Sequence, residues 1–229
     1  QANLLPEEVE QIERVPTHNI EAYSLYLRAR VLADQNEYSP NETEVQWIDS
    51  AKQAIKRAIK LDPQFAEAYS ELASLESLEF LSRFTLEVNQ VALQEHSEVL
   101  KANADKALAL NPHLANAYVA LAAASMMSND WSEVDRNAQQ ALTQPMVRPE
   151  TLFHLARIYE AMGRQQKSIE LIGRLTAEDP ESLSARAIQM IFLVPARHYE
   201  KALNISEIYL SLGCKEDFYH LFRAAALHF

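Results

Sequence analysis

An eight-residue segment occurs twice in this chain, and its two copies constrain the fold more than any other feature. Asp62-Pro63-Gln64-Phe65-Ala66-Glu67-Ala68-Tyr69 returns as Asn111-Pro112-His113-Leu114-Ala115-Asn116-Ala117-Tyr118. Each copy leads on to Leu-Ala, at Leu72-Ala73 and Leu121-Ala122. Each follows an Ala-spaced stretch with basic residues: Ala51, Ala54 and Ala58 with Lys52, Lys56 and Arg57 before the first, Ala102, Ala104 and Ala107 with Lys106 before the second. A third version runs from Leu155-Ala156 through Ile158, Tyr159 and Gly163 to Ser168, Ile172, Leu175 and Asp179-Pro180. A supersecondary unit that recurs in this way cannot bury its apolar face alone and has to stack on its neighbours.

The spacing has a direct physical reading. Ala73, Ala122 and Ala156 on one helix, and Ala58, Ala107 and Ala141 on its partner, are small where two antiparallel helices must approach closely. Tyr69, Tyr118, Tyr159, Leu72, Leu121 and Leu155 fill the space beside them. Pro63, Pro112 and Pro180 end the second helix of each pair, because a proline ring clashes with the preceding turn. Gly163, with Asn129 at the equivalent place, allows the left-handed turn between the two helices. These residues resemble the tetratricopeptide-repeat (TPR) family, whose unit is a helix-turn-helix of about 34 residues. The resemblance implies an all-α fold, an α-solenoid of antiparallel helix pairs.

Aligning small and large positions puts repeat starts near Ala22, Ala66, Ala115, Pro149 and Leu183. The last two steps are 34 residues each, the first two 44 and 49. The excess of 10 falls in the polar stretch 36–43. The excess of 15 falls between Leu75 and Leu100, which stays helix-like and reads as lengthened helices of the second repeat, projecting beyond the solenoid. After Leu183 the pattern slips: Ile205, Tyr209, Gly213, Phe218, Phe222 and Ala225 fit a register starting near Tyr199. One extra helix, about 181–194 and stopped by Pro195, is therefore expected before a closing pair at 199–212 and 215–228. Residues 1–18 read as a lead-in, and 19–229 as one superhelical domain.

Composition narrows the function classes. Three glycines leave no room for Gly-rich phosphate loops. A formal net charge of −11 argues against direct nucleic-acid binding or adhesion to anionic lipid. The single cysteine, Cys214, excludes an intrachain disulfide and a Cys-based zinc site. No apolar run approaches the roughly 18 residues that span a bilayer. The chain starts at Gln1 with neither an initiator Met nor a signal-peptide pattern, and reads as a piece of a longer protein.

Catalytic chemistry has no anchor in the sequence. The seven histidines form no His-Glu-x-x-His motif and no i, i+4 pair, and no His–Asp constellation is local to Cys214, which follows Gly213 in a helix-helix turn. His154 beside Phe153 reads as a packing or surface residue, and Trp47 and Trp131, near the starts of second helices, as packing residues. The acidic pairs Glu7-Glu8 and Glu178-Asp179 read as solvated faces or helix ends, and the sequons at Asn41 and Asn204 carry little weight. No enzyme activity, cofactor or metal is expected.

A TPR solenoid lines its concave face mainly with the first helix of each repeat. Carrying over the family's groove positions gives Tyr26 and Arg30, then Glu67, Ser70 and Ser74, then Asn116, Val119, Ala123 and Met126, and finally Glu150, Phe153, Arg157 and Glu160. The resemblance implies a protein or peptide partner held there. Two readings stand side by side. Val119, Met126 and Phe153 are either buried contacts between repeats or an apolar groove floor, with Arg30 and Arg157 placed to pair with an acidic ligand group. The family's carboxylate clamp of Lys and Asn is absent, since the clamp positions hold Tyr26, Arg30, Ser70, Ser74, Val119 and Ala123. A rival surface is the stretch 79–98, with Phe80, Leu81, Phe84 and Leu86, which could instead form a homodimer.

The lead-in carries a second resemblance. Leu4-Leu5-Pro6-Glu7-Glu8, followed by Val15-Pro16-Thr17-His18-Asn19-Ile20-Glu21-Ala22-Tyr23-Ser24-Leu25-Tyr26-Leu27-Arg28-Ala29-Arg30, is similar to the entry segment of TPR regions in bacterial membrane-anchored signalling proteins. Those include ToxR/CadC-like winged-helix regulators and class III adenylate cyclases. Ala29 stands where that segment usually has Gly. The resemblance implies an interaction or sensory module of a signalling or transcription regulator, periplasmic or otherwise extracytoplasmic. The alternatives are a free-standing cytoplasmic scaffold or assembly factor, and an enzyme on a helical-repeat scaffold.

Overall fold

The computed structural model describes residues 13–36, 44–83, 90–178 and 183–211, with isolated positions 9, 223, 224 and 227. Within them lie ten helices and no strand: α1 (Ile20–Asn36), α2 (Glu44–Leu61), α3 (Ala66–Arg83), α4 (Gln90–Leu110), α5 (Ala115–Met127), α6 (Trp131–Leu142), α7 (Pro149–Ala161), α8 (Gln165–Glu178), α9 (Leu183–Leu193) and α10 (Tyr199–Ser211). The expected all-α class holds. The starts of α3, α5, α7 and α9 coincide with the repeat starts read from the sequence, and α1 begins two residues before Ala22. The chain forms two compact units, 1–151 and 152–229.

In unit 1, α1 packs on α2, α3 on α4 and α5 on α6, and α3 also meets α5. Ala58, Ala73, Ala107, Ala122 and Ala141 are fully buried, which is what lets the helix axes come close. The two octapeptide copies fold alike. Asp62 Oδ1 accepts from Gln64 N at 2.9 Å, and Asn111 Oδ1 accepts from His113 N at 3.1 Å. The short polar side chain thus satisfies the turn that follows α2 and α4. α3 and α4 run 18 and 21 residues against 13 and 12 for α5 and α6, which agrees with the lengthened second repeat.

The lead-in has a structural job. Asn19 Oδ1 accepts from Ala22 N at 3.0 Å, capping α1, while its Nδ2 donates to Leu61 O at 3.3 Å at the end of α2. Thr17 Oγ1 accepts from Asn19 N at 3.0 Å and donates to Asp62 Oδ2. The Pro16-Thr17-His18-Asn19 segment therefore starts one helix and ties it to the end of the next. Ala29 is fully buried, in keeping with a close-packing position.

The turns between paired helices behave as read. Asn129 has φ +58 and Gly163 φ +71, both in the left-handed region. In unit 2, Leu152, Leu155, Ala156, Ile158, Tyr159 and Ile172 are buried, as are Met190, Phe192 and Leu193 of α9. The helix at 183–193 is not an insertion before a closing pair. Arg197, 34 positions after Gly163, has φ +61, and α9 and α10 pair through the same left-handed turn, with His198 N donating to Leu193 O at 2.9 Å as Arg164 N does to Tyr159 O at 2.8 Å. One packing assignment needs correction: Trp47 is buried, but Trp131 opens α6 with 44% of its surface exposed. At the first position of a helix its side chain lies over the incoming turn instead of the core. The loop at 36–43, Cys214 and the final helix lie outside the described residues, as do the side chains of Phe80, Leu81, Phe84 and Leu86.

Candidate functional site

Unit 1 contains a pocket of about 180 Å³. Its walls come from successive first helices: Tyr26 of α1, Glu67 and Ser70 of α3, Asn116 of α5, and Thr151 in the first turn of α7. Arg14, from the lead-in, and Met146 and Arg148, from the connection before α7, complete the lining with His113. Each wall residue sits on the side of its helix that faces the other first helices, so the pocket is a product of stacking rather than of any one repeat.

Charges crowd this pocket. Arg148 Nη1 and Arg30 Nη2 both address Glu150 Oε1, at 2.9 Å and 3.3 Å. Arg14 Nε lies 3.8 Å from Glu67 Oε1, and its Nη2 donates to Leu110 O at 3.2 Å. Glu67 Oε2 is buried and has no hydrogen-bond partner. A buried carboxylate oxygen without a donor is costly. Thr151 Oγ1 donates to Asn116 Oδ1, fixing the amide that lines the opposite wall.

Tyr26 shows how tightly the site is balanced. Its ring packs 5.1 Å from that of Phe65, and burial pushes its phenol up to about 12. Glu71 and Glu67 push the same way, while Arg148 and Arg30 oppose them. The phenol stays protonated at neutral pH and is available as a donor.

The groove residues expected from the sequence divide by burial. Tyr26, Ser70, Asn116, Val119 and Phe153 are buried, as is Ser74, whose Oγ has no hydrogen-bond partner. Arg30, Met126, Arg157 and Glu160 are half-buried. Tyr26, Ser70 and Asn116 come together in the pocket, with Arg30 beside it on Glu150. Val119, 2% exposed, packs as core.

Phe153, Arg157 and Glu160 lie in unit 2. The Phe153 ring meets Phe192 edge-on at 6.1 Å, so α9 covers it. The Arg157 guanidinium stands 5.8 Å from the Phe153 ring. Burial holds the Glu160 carboxyl above its usual range, with Arg157 pulling it back. His154 is buried. Among the described residues no three His, Cys, Asp or Glu side chains converge in a way that could hold a metal ion, and no helix is long and apolar enough to cross a membrane.

Residues 149–182, which hold α7 and α8, match the family model of the tetratricopeptide repeat. Among solved structures, the chain is similar to TTC0263, a thermophilic TPR protein of Thermus thermophilus. The TM-score is 0.56 at 17% identity, over 76% of this chain and 82% of that one. The chain has a TPR fold. It is also similar to the human IFIT1 dimer with PPP-AAAA, with a TM-score of 0.51 at 14% identity, over 96% of this chain and 49% of that one. At these identities the likeness is one of fold. No curated protein matches the TPR chain by sequence.

Sequence reasoning named Tyr26, Glu67, Ser70 and Asn116 of the helical walls but not Thr151, and it missed Arg14, His113, Met146 and Arg148. These four sit in the lead-in and in connections, where no helical period marks which side chain turns inward. The one available signal was Arg148 two residues before Glu150, a charged pair at the mouth of a first helix.

Proposed function

We propose that this TPR chain is a non-catalytic protein-interaction module that takes an extended peptide segment of a partner into the unit 1 pocket. The observation that carries the reading is the pocket itself, where Ser70 and Asn116 from successive first helices stand with the guanidinium-bearing Arg14 and Arg148. A peptide amide offers both halves of a match: its N–H can donate to a polar oxygen of the lining, at Ser70 or Asn116, and its carbonyl can accept from Arg14 or Arg148. A free carboxylate fits less well, because Arg30 and Arg148 already share Glu150 and Arg14 lies by Glu67. The cavity has room for a single residue of the ligand, so affinity would come from several such contacts along the chain.

The test uses a partner peptide recovered by display selection on the folded chain. Ser70→Trp fills the cavity, and Arg148→Met removes a donor. Each should weaken binding by about tenfold, one lost charge-assisted hydrogen bond. Unchanged affinity in both folded variants would remove the pocket from the site.

The setting of this module is a further part of the proposal. The lead-in Pro16–Arg30 resemblance supports an extracytoplasmic sensory module of a bacterial membrane-anchored signalling protein. A winged-helix or cyclase domain and one apolar 20-mer encoded upstream would uphold it; an open reading frame holding only TPR sequence would favour a free-standing scaffold.

A further inference from the structure

Helix α1 is apolar on two faces. Ala22, Tyr26, Ala29 and Ala33 are buried against unit 1. On the opposite side Ile20, Tyr23, Leu27 and Val31 are 87%, 39%, 41% and 52% exposed. Their spacing of three, four and four residues lines them up as one stripe along the helix. Exposed Ser24 lies within the stripe, and exposed Glu21 and Arg28 lie together along one flank. Scattered exposed apolar residues need no explanation, but four in register on one helix mark a contact surface.

From this face we infer that α1 docks on α1 of a second copy of the chain, antiparallel, about a two-fold axis between Ser24 and Leu27. The stripe is complementary to itself in that arrangement. Small Ser24 meets large Leu27 of the other copy, and Ile20 meets Val31, so the helices pack knob to gap at both ends. The two-fold keeps each flank on its own side, which places Glu21 of one copy next to Arg28 of the other, twice. A parallel two-fold pairing would put the Glu21–Arg28 flanks of the two copies on opposite sides of the interface, where these residues could not pair. In the single chain Glu21 reaches Arg57 Nη2 at 2.5 Å in an exposed pair, which leaves its second oxygen for a partner. The interface is distinct from the 79–98 stretch and from the pocket, which uses the other face of α1. One helix pair buries a small area, so the dimer should be weak and in exchange with monomer.

Sedimentation velocity on the 229-residue chain, from micromolar to near-millimolar concentration, is the test. We expect a monomer–dimer equilibrium. Leu27→Glu, at an exposed site and checked for helix content by circular dichroism, should leave monomer throughout. Glu21→Arg and Arg28→Glu should each weaken the dimer about tenfold, since each sets like charges face to face. The double variant Glu21→Arg with Arg28→Glu should return to near the original dissociation constant. That rescue is specific to a pairing of the two residues across copies. Monomer at every concentration would overturn the inference, as would a dimer indifferent to Leu27→Glu or a double swap without rescue. Leu27-dependent binding of the monomeric chain to phosphatidylserine vesicles would also overturn it, by assigning the stripe to a membrane surface.

Discussion

Arg30 and Glu150 meet at 3.3 Å although 120 positions separate them in sequence. Arg148 shares the same carboxylate oxygen at 2.9 Å. Two guanidinium groups thus depend on one acceptor that is mostly shielded from water. Glu150→Gln keeps the shape and removes the charge, and should cost about 1–2 kcal/mol of stability in urea unfolding. A double-mutant cycle with Arg30→Met should return a coupling of similar sign; additive effects would show that the contact contributes nothing.

Ala122 and Ala156 are both fully buried. Replacing either with Leu puts a larger side chain where no space exists, and should destabilise by about 1–3 kcal/mol. Leu in place of exposed Gln139 on α6 should cost well under that, which serves as the control. Thermal unfolding of the three variants checks the register directly.

Gly163 and Asn129 hold the same left-handed turn by different means. A β-carbon at Gly163 would meet nothing within 4 Å, so any cost of Gly163→Ala comes from the backbone alone. That cost should be about 1 kcal/mol. Asn129→Gly should be neutral or slightly stabilising, because it relieves the same conformation. Equal effects at the two sites would mean that side-chain hydrogen bonding by Asn129 matters more than its φ.

Lys52 sits between Glu76 and Glu79, at 2.7 Å and 2.6 Å. All three side chains are mostly buried. Lys52→Met would leave two carboxylates there without their cation, and should cost about 3 kcal/mol. Burial lowers the lysine's affinity for its proton, but the hydrogen bonds to Glu76 and Glu79 outweigh it and hold the ammonium above the ordinary value of 10.5. A raised folded value means that the triad's contribution is fully present below the ordinary lysine value. It is lost as pH rises through the folded value. Melting temperature should therefore fall in strong alkali for the native chain, and Lys52→Met should lack that part of the fall.

Most of the fold was legible because helix pairing leaves a periodic trace. Asp62-Pro63 and Asn111-Pro112 mark joints, and fully buried Ala73, Ala107 and Ala122 mark crossings. The slipped register marks α9 as an insertion, whereas Arg197 at φ +61, 34 positions after Gly163, joins it to α10 as the next helix pair. The helix itself, stopped near Pro195, was legible. What it does was not: that Phe192 would cover Phe153 depends on how α9 lies on its neighbours, which no local pattern encodes. The pocket was half legible for the same reason. Tyr26, Ser70 and Asn116 follow from helix position, whereas Arg14 and Arg148 arrive from segments whose path is set by tertiary contacts.

Unit 1 is joined in two different ways. Its apolar burial links helices one or two apart in sequence, while Arg14 to Leu110 and Arg30 to Glu150 close loops of about a hundred residues. Local hairpins form quickly and long closures come late. A nascent or clipped chain can therefore hold sound helix pairs and still lack the pocket, whose walls meet only after those closures. Competence to bind would then report that the whole of unit 1 has been made and assembled.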